Sequence, residues 1–425
     1  MPLLSLKRKV KASLKSFRLD WVGSVVLFIG CFGLLVGQAL AAGSARFVQD
    51  RFAIGLWVDP PASPDLDERY AEIAQANFTC LIGIFGANNS NSIARQLELC
   101  EKHQLKALVS LGGQRPDRLP TNSACWGYFL GDEPQVGAFA GLRETTDAIR
   151  AARPGKLGYI NLFPDIAFPG ALGTTNYEEY VGRFIREVGP DVLSMDHYPQ
   201  FSPDADGRDG YCRNLEVMRR HSLAAGIPFW NFFNAMPYGP HTDPTEAQLR
   251  WQVYTSLAYG ARGVMYFCYW TPAGAEFPKG GAIITRDGRK TRHYAEARRI
   301  NGTLKNFGPT LMRLRSTGVV RIRPGQDAAV FLRGGGLKGL SEGEYLVGNF
   351  VHEDGRRAVL INNFHFAYSA WPTVVFDAAT ASVREVDPKT GMEAPVLDDS
   401  PDMPGLQLSM DAGQGRLFLL PPSGR

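Results

Sequence analysis

The 425-residue chain reads as an α/β protein, a (β/α)8 TIM barrel followed by a small all-β sandwich. Three observations predict this class. Eight short apolar runs recur between residues 52 and 272, and amphipathic segments separate most of them. Beyond residue 310 the texture changes to short strands broken by Gly, Asp and Pro turns.

Before the first run lies a segment of different character. The first 20 residues hold six basic side chains (Lys7, Arg8, Lys9, Lys11, Lys15, Arg18) against Asp20 alone, and no charge occurs from Trp21 to Ala45. The run ends on the small-residue pattern Ala39-Leu40-Ala41. Residues 1–45 are therefore expected to be a signal peptide or an uncleaved N-terminal membrane anchor, which implies export to the periplasm or beyond. The net charge of +4 belongs to this segment, since the rest of the chain carries 40 basic and 41 acidic residues. No basic field remains to attract a phosphate backbone, which argues against nucleic acid as a partner.

The eight runs occupy 52–60, 78–86, 106–113, 126–134, 156–164, 191–199, 227–236 and 263–272. Most are continuously apolar, as parallel strands covered on their outer face should be. Between the first two, Ser63 is the candidate N-cap of a helix with Pro64 in its first turn. After the third, the stretch 114–124 is too short and Pro-rich for a full helix, so one crossover is degenerate. A doubly wound open sheet is the alternative; its Gly-rich phosphate turn is absent, the first strand running into Val58-Asp59-Pro60-Pro61. Eight βα units give a barrel over 50–310, with its site at the C-terminal strand ends. Strands expected at 319–324, 328–333, 345–351, 356–363, 373–377, 382–387, 406–411 and 416–421 make the sandwich, 311–425, a structural brace.

Cysteine and histidine spacing excludes other chemistries. The five cysteines beyond Cys31 lack CxxC spacing, so they indicate neither zinc nor a disulfide framework, with a pair or two at most bridging. The seven histidines show no HxH or HExxH pattern, and no metal or cofactor is expected. Gly334 to Gly339 fits GxGxxG but no helix is expected after it, so it reads as a loop. The acidic run from Asp204 to Gly210 places Arg208 where a calcium loop needs an oxygen ligand, and reads as a turn.

The sharpest motif is Gly131-Asp132-Glu133-Pro134 at the end of the fourth run. A carboxyl held there against apolar strand ends acquires a raised pKa suited to proton donation. Glu133-Pro134 resembles the Asn-Glu-Pro signature of clan A (β/α)8 glycoside hydrolases, β-galactosidase-like members included, with Asp132 standing where the Asn would be. The resemblance spans residues 52–310 in strand order and implies that Glu133 is the acid/base. The clan's nucleophile, a Glu ending strand seven, has no counterpart, because that run reads Phe229-Trp230-Asn231-Phe232-Phe233-Asn234. Asp196, in Met195-Asp196-His197-Tyr198-Pro199, ends strand six and is the candidate second carboxylate.

The adjacent pair also resembles the catalytic pair of substrate-assisted N-acetylhexosaminidases, in which Asp132 would steady the substrate's acetamido group beside a Tyr such as Tyr198 or Tyr238. Successive strand residues face opposite sides, so both carboxyls reach one site only if the backbone kinks there. Trp57, Trp230 and Trp270 are candidate sugar platforms, and Asp59, Asn161, His197, Tyr198 and Asn234 candidate partners for sugar hydroxyls. The expected activity is hydrolysis of O-glycosidic bonds in a poly- or oligosaccharide. A barrel that binds carbohydrate without cleaving it is the alternative that the missing strand-seven Glu favours.

Overall fold

The computed structural model describes residues 45–202 and 205–422. The expected signal or anchor lies outside them except for Ala45. Among the described residues no helix is long and apolar enough to cross a membrane.

All eight expected apolar runs form strands: β1 (Ala53–Leu56), β2 (Cys80–Gly83), β3 (Lys106–Val109), β4 (Cys125–Asp132), β5 (Leu157–Asn161), β6 (Leu193–Asp196), β7 (Phe229–Asn234) and β8 (Gly263–Phe267). They pair in parallel as two four-stranded sheets, β2-β3-β4-β5 and β1-β8-β7-β6. The sheets meet at both edges. Thr79 N–H donates to Ile54 O at 2.9 Å where β2 adjoins β1, and Leu162 N–H donates to Ser194 O at 2.9 Å where β5 adjoins β6.

Strand alternation sorts the side chains into two layers. Ala53, Ile82, Leu108, Trp126, Tyr159, Trp230, Phe232 and Met265 form an inner cluster contributed by both sheets. Ile54, Leu81, Val109, Tyr128, Ile160, Met195, Phe233 and Tyr266 face outward into a larger core shared with the helices. The inner layer is crowded enough that a Cβ on Gly263 would lie 2.5 Å from the Trp230 ring, so that position takes no larger residue.

The outer helices are α1 (Leu66–Gln75), α2 (Ser90–Lys102), α3 (Phe139–Ala152), α4 (Tyr177–Val188), α5 (Arg208–Ala225), α6 (Glu246–Ala258) and α7 (Arg292–Leu311). α1 starts later than Ser63 implies: its N-cap is Asp65, which makes no side-chain capping bond. The degenerate crossover after β3 is one 3-10 turn, Pro116–Arg118. All five described cysteines are free and buried.

After α7 follow β9 (Leu314–Ile322), β10 (Leu337–Leu340), β11 (Tyr345–His352), β12 (Arg357–Asn363), β13 (Thr373–Phe376), β14 (Arg384–Val386), β15 (Glu393–Pro395), β16 (Leu406–Gln407) and β17 (Gly415–Leu420). They make two antiparallel sheets, β9-β11-β12-β17-β14-β15 and β10-β13-β16, with a core of their own that includes Val347, Val359, Ile361, Phe376 and Phe418. The strand expected at 328–333 is instead a helical turn, Ala328–Phe331, because Asp327 caps it by accepting from Ala329 N–H. β11 and β12 lie against α6, where Asn362 Nδ2 donates to Tyr254 O at 2.6 Å.

Candidate active site

The C-terminal ends of the parallel strands enclose a cavity of about 280 Å³. Its lining comprises Trp57 after β1, Asp132 and Glu133 from β4, Asn161 from β5, Asp196 and Tyr198 from β6, Phe232 and Tyr238 from β7, and Phe267, Glu276 and Phe277 from β8 and its loop. The three expected carboxyls, Asp132, Glu133 and Asp196, thus converge on one space, joined there by Trp57, Asn161 and Tyr198.

The adjacent carboxyls converge because β4 breaks its own alternation. Its register against β5 shifts between Phe129 and Gly131, so that Asp132 pairs with Asn161. Phe129 packs on the inner cluster and Leu130 on the outer core, while a Cβ on Gly131 would also face outward, 3.8 Å from Leu142 of α3. Two successive outward positions return Asp132 to the inner side, which is what a β-bulge next to a site does. Glu133 then adopts φ 46°, a left-handed conformation uncommon outside glycine, and its side chain enters the same cavity. Two bonds hold this turn: Glu133 N–H donates to Asn161 O at 2.9 Å, and Tyr180 Oη donates to Pro134 O at 2.8 Å.

Asn161 ties the acids together. Its Nδ2 donates to Asp132 Oδ1 at 3.1 Å and to Asp196 Oδ1 at 2.8 Å, so these oxygens lie no more than about 6 Å apart. Its Oδ1 accepts from Ser194 Oγ at 3.0 Å, and that hydroxyl also bonds Tyr159 Oη at 2.7 Å. The amide is therefore fixed with its NH2 toward the carboxylates.

Burial raises all three acids, and repulsion from neighbouring carboxyls adds to it at Glu133 and Asp196. Burial, followed by the charge of Asp132, pushes Glu133 up to about 7. Burial and then the Glu133 and Asp132 charges push Asp196 well above the carboxylate range, against the opposing bond from Asn161. Asp132, the most solvent-open of the three, is raised by partial burial and held back by Asn161. At neutral pH the cluster holds a proton available to a leaving group.

Aromatic rings form the walls. Trp57 meets Phe85, Phe129 and Phe232 edge-on at centroid distances of 5.6, 5.4 and 5.7 Å. Opposite, Phe267 packs against Tyr198 and Tyr238 at 5.2 Å each, and Phe277 leans on Tyr238 at 5.8 Å.

Five expected substrate-binding residues lie elsewhere. Val58, at φ 60°, turns the chain out of alternation, and Asp59 is buried beneath the turn after β2. There it accepts from the N–H groups of Phe85 (2.9 Å) and Gly86 (3.1 Å) and from Gln96 Nε2 (2.8 Å). His197 falls on the outward phase of β6 and bonds Asn214 Oδ1 of α5 at 2.9 Å. Trp230 is inward but at the opposite end of the strands, beside Trp126 and Tyr159, donating to Gln49 Oε1 at 3.0 Å. Asn234 is buried, its Oδ1 accepting from Met236 N–H and its backbone bonded to Gln252. Trp270 lies outside the lining, under the Arg69 guanidinium at 5.5 Å.

The sequence reading missed Phe232, Phe267, Glu276 and Phe277. The first two follow from inward phase at strand ends. The signal for the others is an acid and an aromatic within a loop bracketed by glycines, Gly274, Gly280 and Gly281, all with positive φ. Among the described residues no group of His, Cys, Asp and Glu is arranged to hold a metal ion.

No family model matches the chain, and no curated protein is significantly similar to it. Solved structures are similar in fold. Gan42B, a GH42 β-galactosidase from G. stearothermophilus, superimposes with a TM-score of 0.58 over 89% of this chain and 100% of its own at 9% identity. The β-galactosidase from Bacillus circulans sp. alkalophilus gives 0.52 over 86% and 99% at 10% identity. The chain spans 60% of the β-galactosidase from the psychrophilic Marinomonas ef1, at 11% identity over 60% of this chain and a TM-score of 0.45. The likeness is one of fold alone, shared with these β-galactosidase structures.

Proposed function

We propose that the chain is an exported glycoside hydrolase that cleaves O-glycosidic bonds of a poly- or oligosaccharide. On this reading the two parallel sheets form one closed (β/α)8 barrel over 50–310, residues 311–425 are a bracing sandwich, and residues 1–45 direct export or anchor the chain. The hydrogen bonds at both sheet edges and the fold likeness support the barrel. One observation carries the activity: carboxyls from the ends of β4 and β6 share an aromatic-walled cavity in which Glu133 is pushed up to about 7.

Glu133, pushed up to about 7 and so still partly protonated at neutral pH, donates its proton to the glycosidic oxygen as the bond breaks. Asp196, oriented by Asn161, whose bond favours the ionised form against burial, faces as a carboxylate the developing positive charge at the anomeric carbon and acts on it directly or through a water. Trp57 offers a ring wall to the C–H face of the sugar.

A second reading is favoured by the bulge that brings both Asp132 and Glu133 into the cavity: substrate-assisted cleavage of an N-acetylhexosaminide, with Asp132 steadying the acetamido group and Tyr198 or Tyr238 holding its oxygen. Replacing Glu133 by Gln tests both. Hydrolysis of a broad glycan panel should fall by at least about a hundredfold with folding intact. Unchanged turnover refutes the assignment, and glycan binding without cleavage by the native chain would establish a binding protein instead.

A further inference from the structure

We propose that the cavity takes a glycan bearing a free amine, an unacetylated 2-amino-2-deoxyhexose unit in its ammonium form; this rests on the glycoside hydrolase reading above. Among the described residues four carboxyls line the cavity, Asp132, Glu133, Asp196 and Glu276, and no Lys, Arg or His does. Hydrolysis needs two of them. Glu276 reaches the cavity from the loop after β8 and makes no salt bridge among the described residues, the nearby Arg286 bonding the carbonyls of Pro272 and Phe277 instead.

The balance of donors and acceptors points the same way. The lining presents more acceptor oxygens than donors: Asn161 Nδ2 is spent on Asp132 and Asp196, which leaves the Trp57 indole N–H, the Tyr198 and Tyr238 hydroxyls and the proton held by the acids. An ammonium group is the complement of such a surface, with three donors and no acceptor. Six aromatic rings complete the wall, and ring faces attract a desolvated cation while offering nothing to an anion. Uronate or sulfated sugars would meet repulsion from the same carboxyls. An ammonium bound among Asp132, Glu133 and Asp196 also relieves the repulsion that raises the last two.

The test uses the Glu133→Gln variant and calorimetric titration at mildly acidic pH with three sets of oligosaccharides of equal length. These are fully deacetylated glucosamine and galactosamine oligomers, their N-acetylated counterparts, and neutral hexose oligomers. At least one amine-bearing oligomer should bind about tenfold tighter than its N-acetylated and neutral counterparts. That margin should shrink severalfold at high salt and on adding Glu276→Gln, an exposed loop substitution. Equal or tighter binding of the acetylated or neutral oligomers overturns the proposal, as does failure of every amine-bearing oligomer to bind. Cleavage of neutral oligomers by the native chain without preference for amines overturns this proposal and leaves the hydrolase reading. Amine-bearing oligomers bound but never cleaved do the reverse.

Discussion

Asn161 Nδ2 donates to two carboxylates at once, Asp132 Oδ1 at 3.1 Å and Asp196 Oδ1 at 2.8 Å, and so links the ends of β4 and β6 through the strand between them. Each bond favours the ionised acid and opposes the effect of burial. Removing the amide should therefore raise both acids further and loosen their aim. For Asn161→Ala we expect kcat to fall about 10- to 100-fold and the acidic limb of the pH–rate profile to move to higher pH. An acidic limb that stays in place would remove Asn161 from the charge network.

Glu133 supplies the opposite limb. Its carboxyl is pushed from 4.5 to about 7 by burial and by Asp132, so as general acid it should lose activity above about pH 7, roughly tenfold per pH unit. The same shift sets the sign of a stability effect. The folded chain holds a proton that the unfolded chain releases, so the contribution is complete below pH 4.5 and is lost as pH rises through 7. Glu133→Gln should accordingly be more stable than the native chain at pH 8, by on the order of 1–3 kcal/mol, and should show no such gain at pH 4. Thermal melts at the two pH values decide it, and an equal gain at both would show that ionisation is not the cause.

The strand order was legible because parallel strands covered on both sides read as continuous apolar runs. The carboxyls stood out as acids that end such runs, although the same signal also picked out Asp59, which is enclosed. What the sequence concealed was phase. The bulge at Phe129 to Gly131 and the left-handed residues Val58 and Glu133 each reverse the side to which the next residue points. Gly131 is the one glycine that marks these turns, and neither left-handed residue is a glycine, so Asp132 and Glu133 read as opposed when they converge, and Asp59 read as available when it is enclosed. Trp230 misled through register, since it is the second residue of β7, pairs with Gly263 and lies two residues before Phe232, the ring that reaches the cavity.

Asp59 offers a control for that distinction. It is 1% exposed, and its carboxylate satisfies the N–H groups of Phe85 and Gly86 as well as Gln96 Nε2. Asp59→Ala would strand one buried and two partly buried donors, which should cost about 2–4 kcal/mol in urea unfolding. Because burial raises this acid to about 6, its own contribution to stability declines as pH rises from 3.8 through 6, and the penalty of the substitution should be greatest at acid pH. The folded fraction should keep its KM, since Asp59 lies outside the cavity lining; a KM raised severalfold would return it to the substrate site.

One close approach between the antiparallel module and the helices around the parallel sheets lies at Gly348. A Cβ on Gly348 of β11 would lie 2.5 Å from Ala258 O and 2.9 Å from Ala258 Cα at the end of α6. Both are backbone atoms and cannot turn aside, so even an alanine must push the β11 face off the helix. On the next strand, Asn362 Nδ2 donates to Tyr254 O at 2.6 Å and would lose that bond with the displacement. Gly348→Ala should therefore destabilise the chain by about 2–3 kcal/mol. The loss should appear in one cooperative transition shared by both parts, because the bond and the close packing tie the module to the helix that precedes β8. Two separated transitions, or an unchanged midpoint, would mean that the module folds beside the parallel sheets without supporting them.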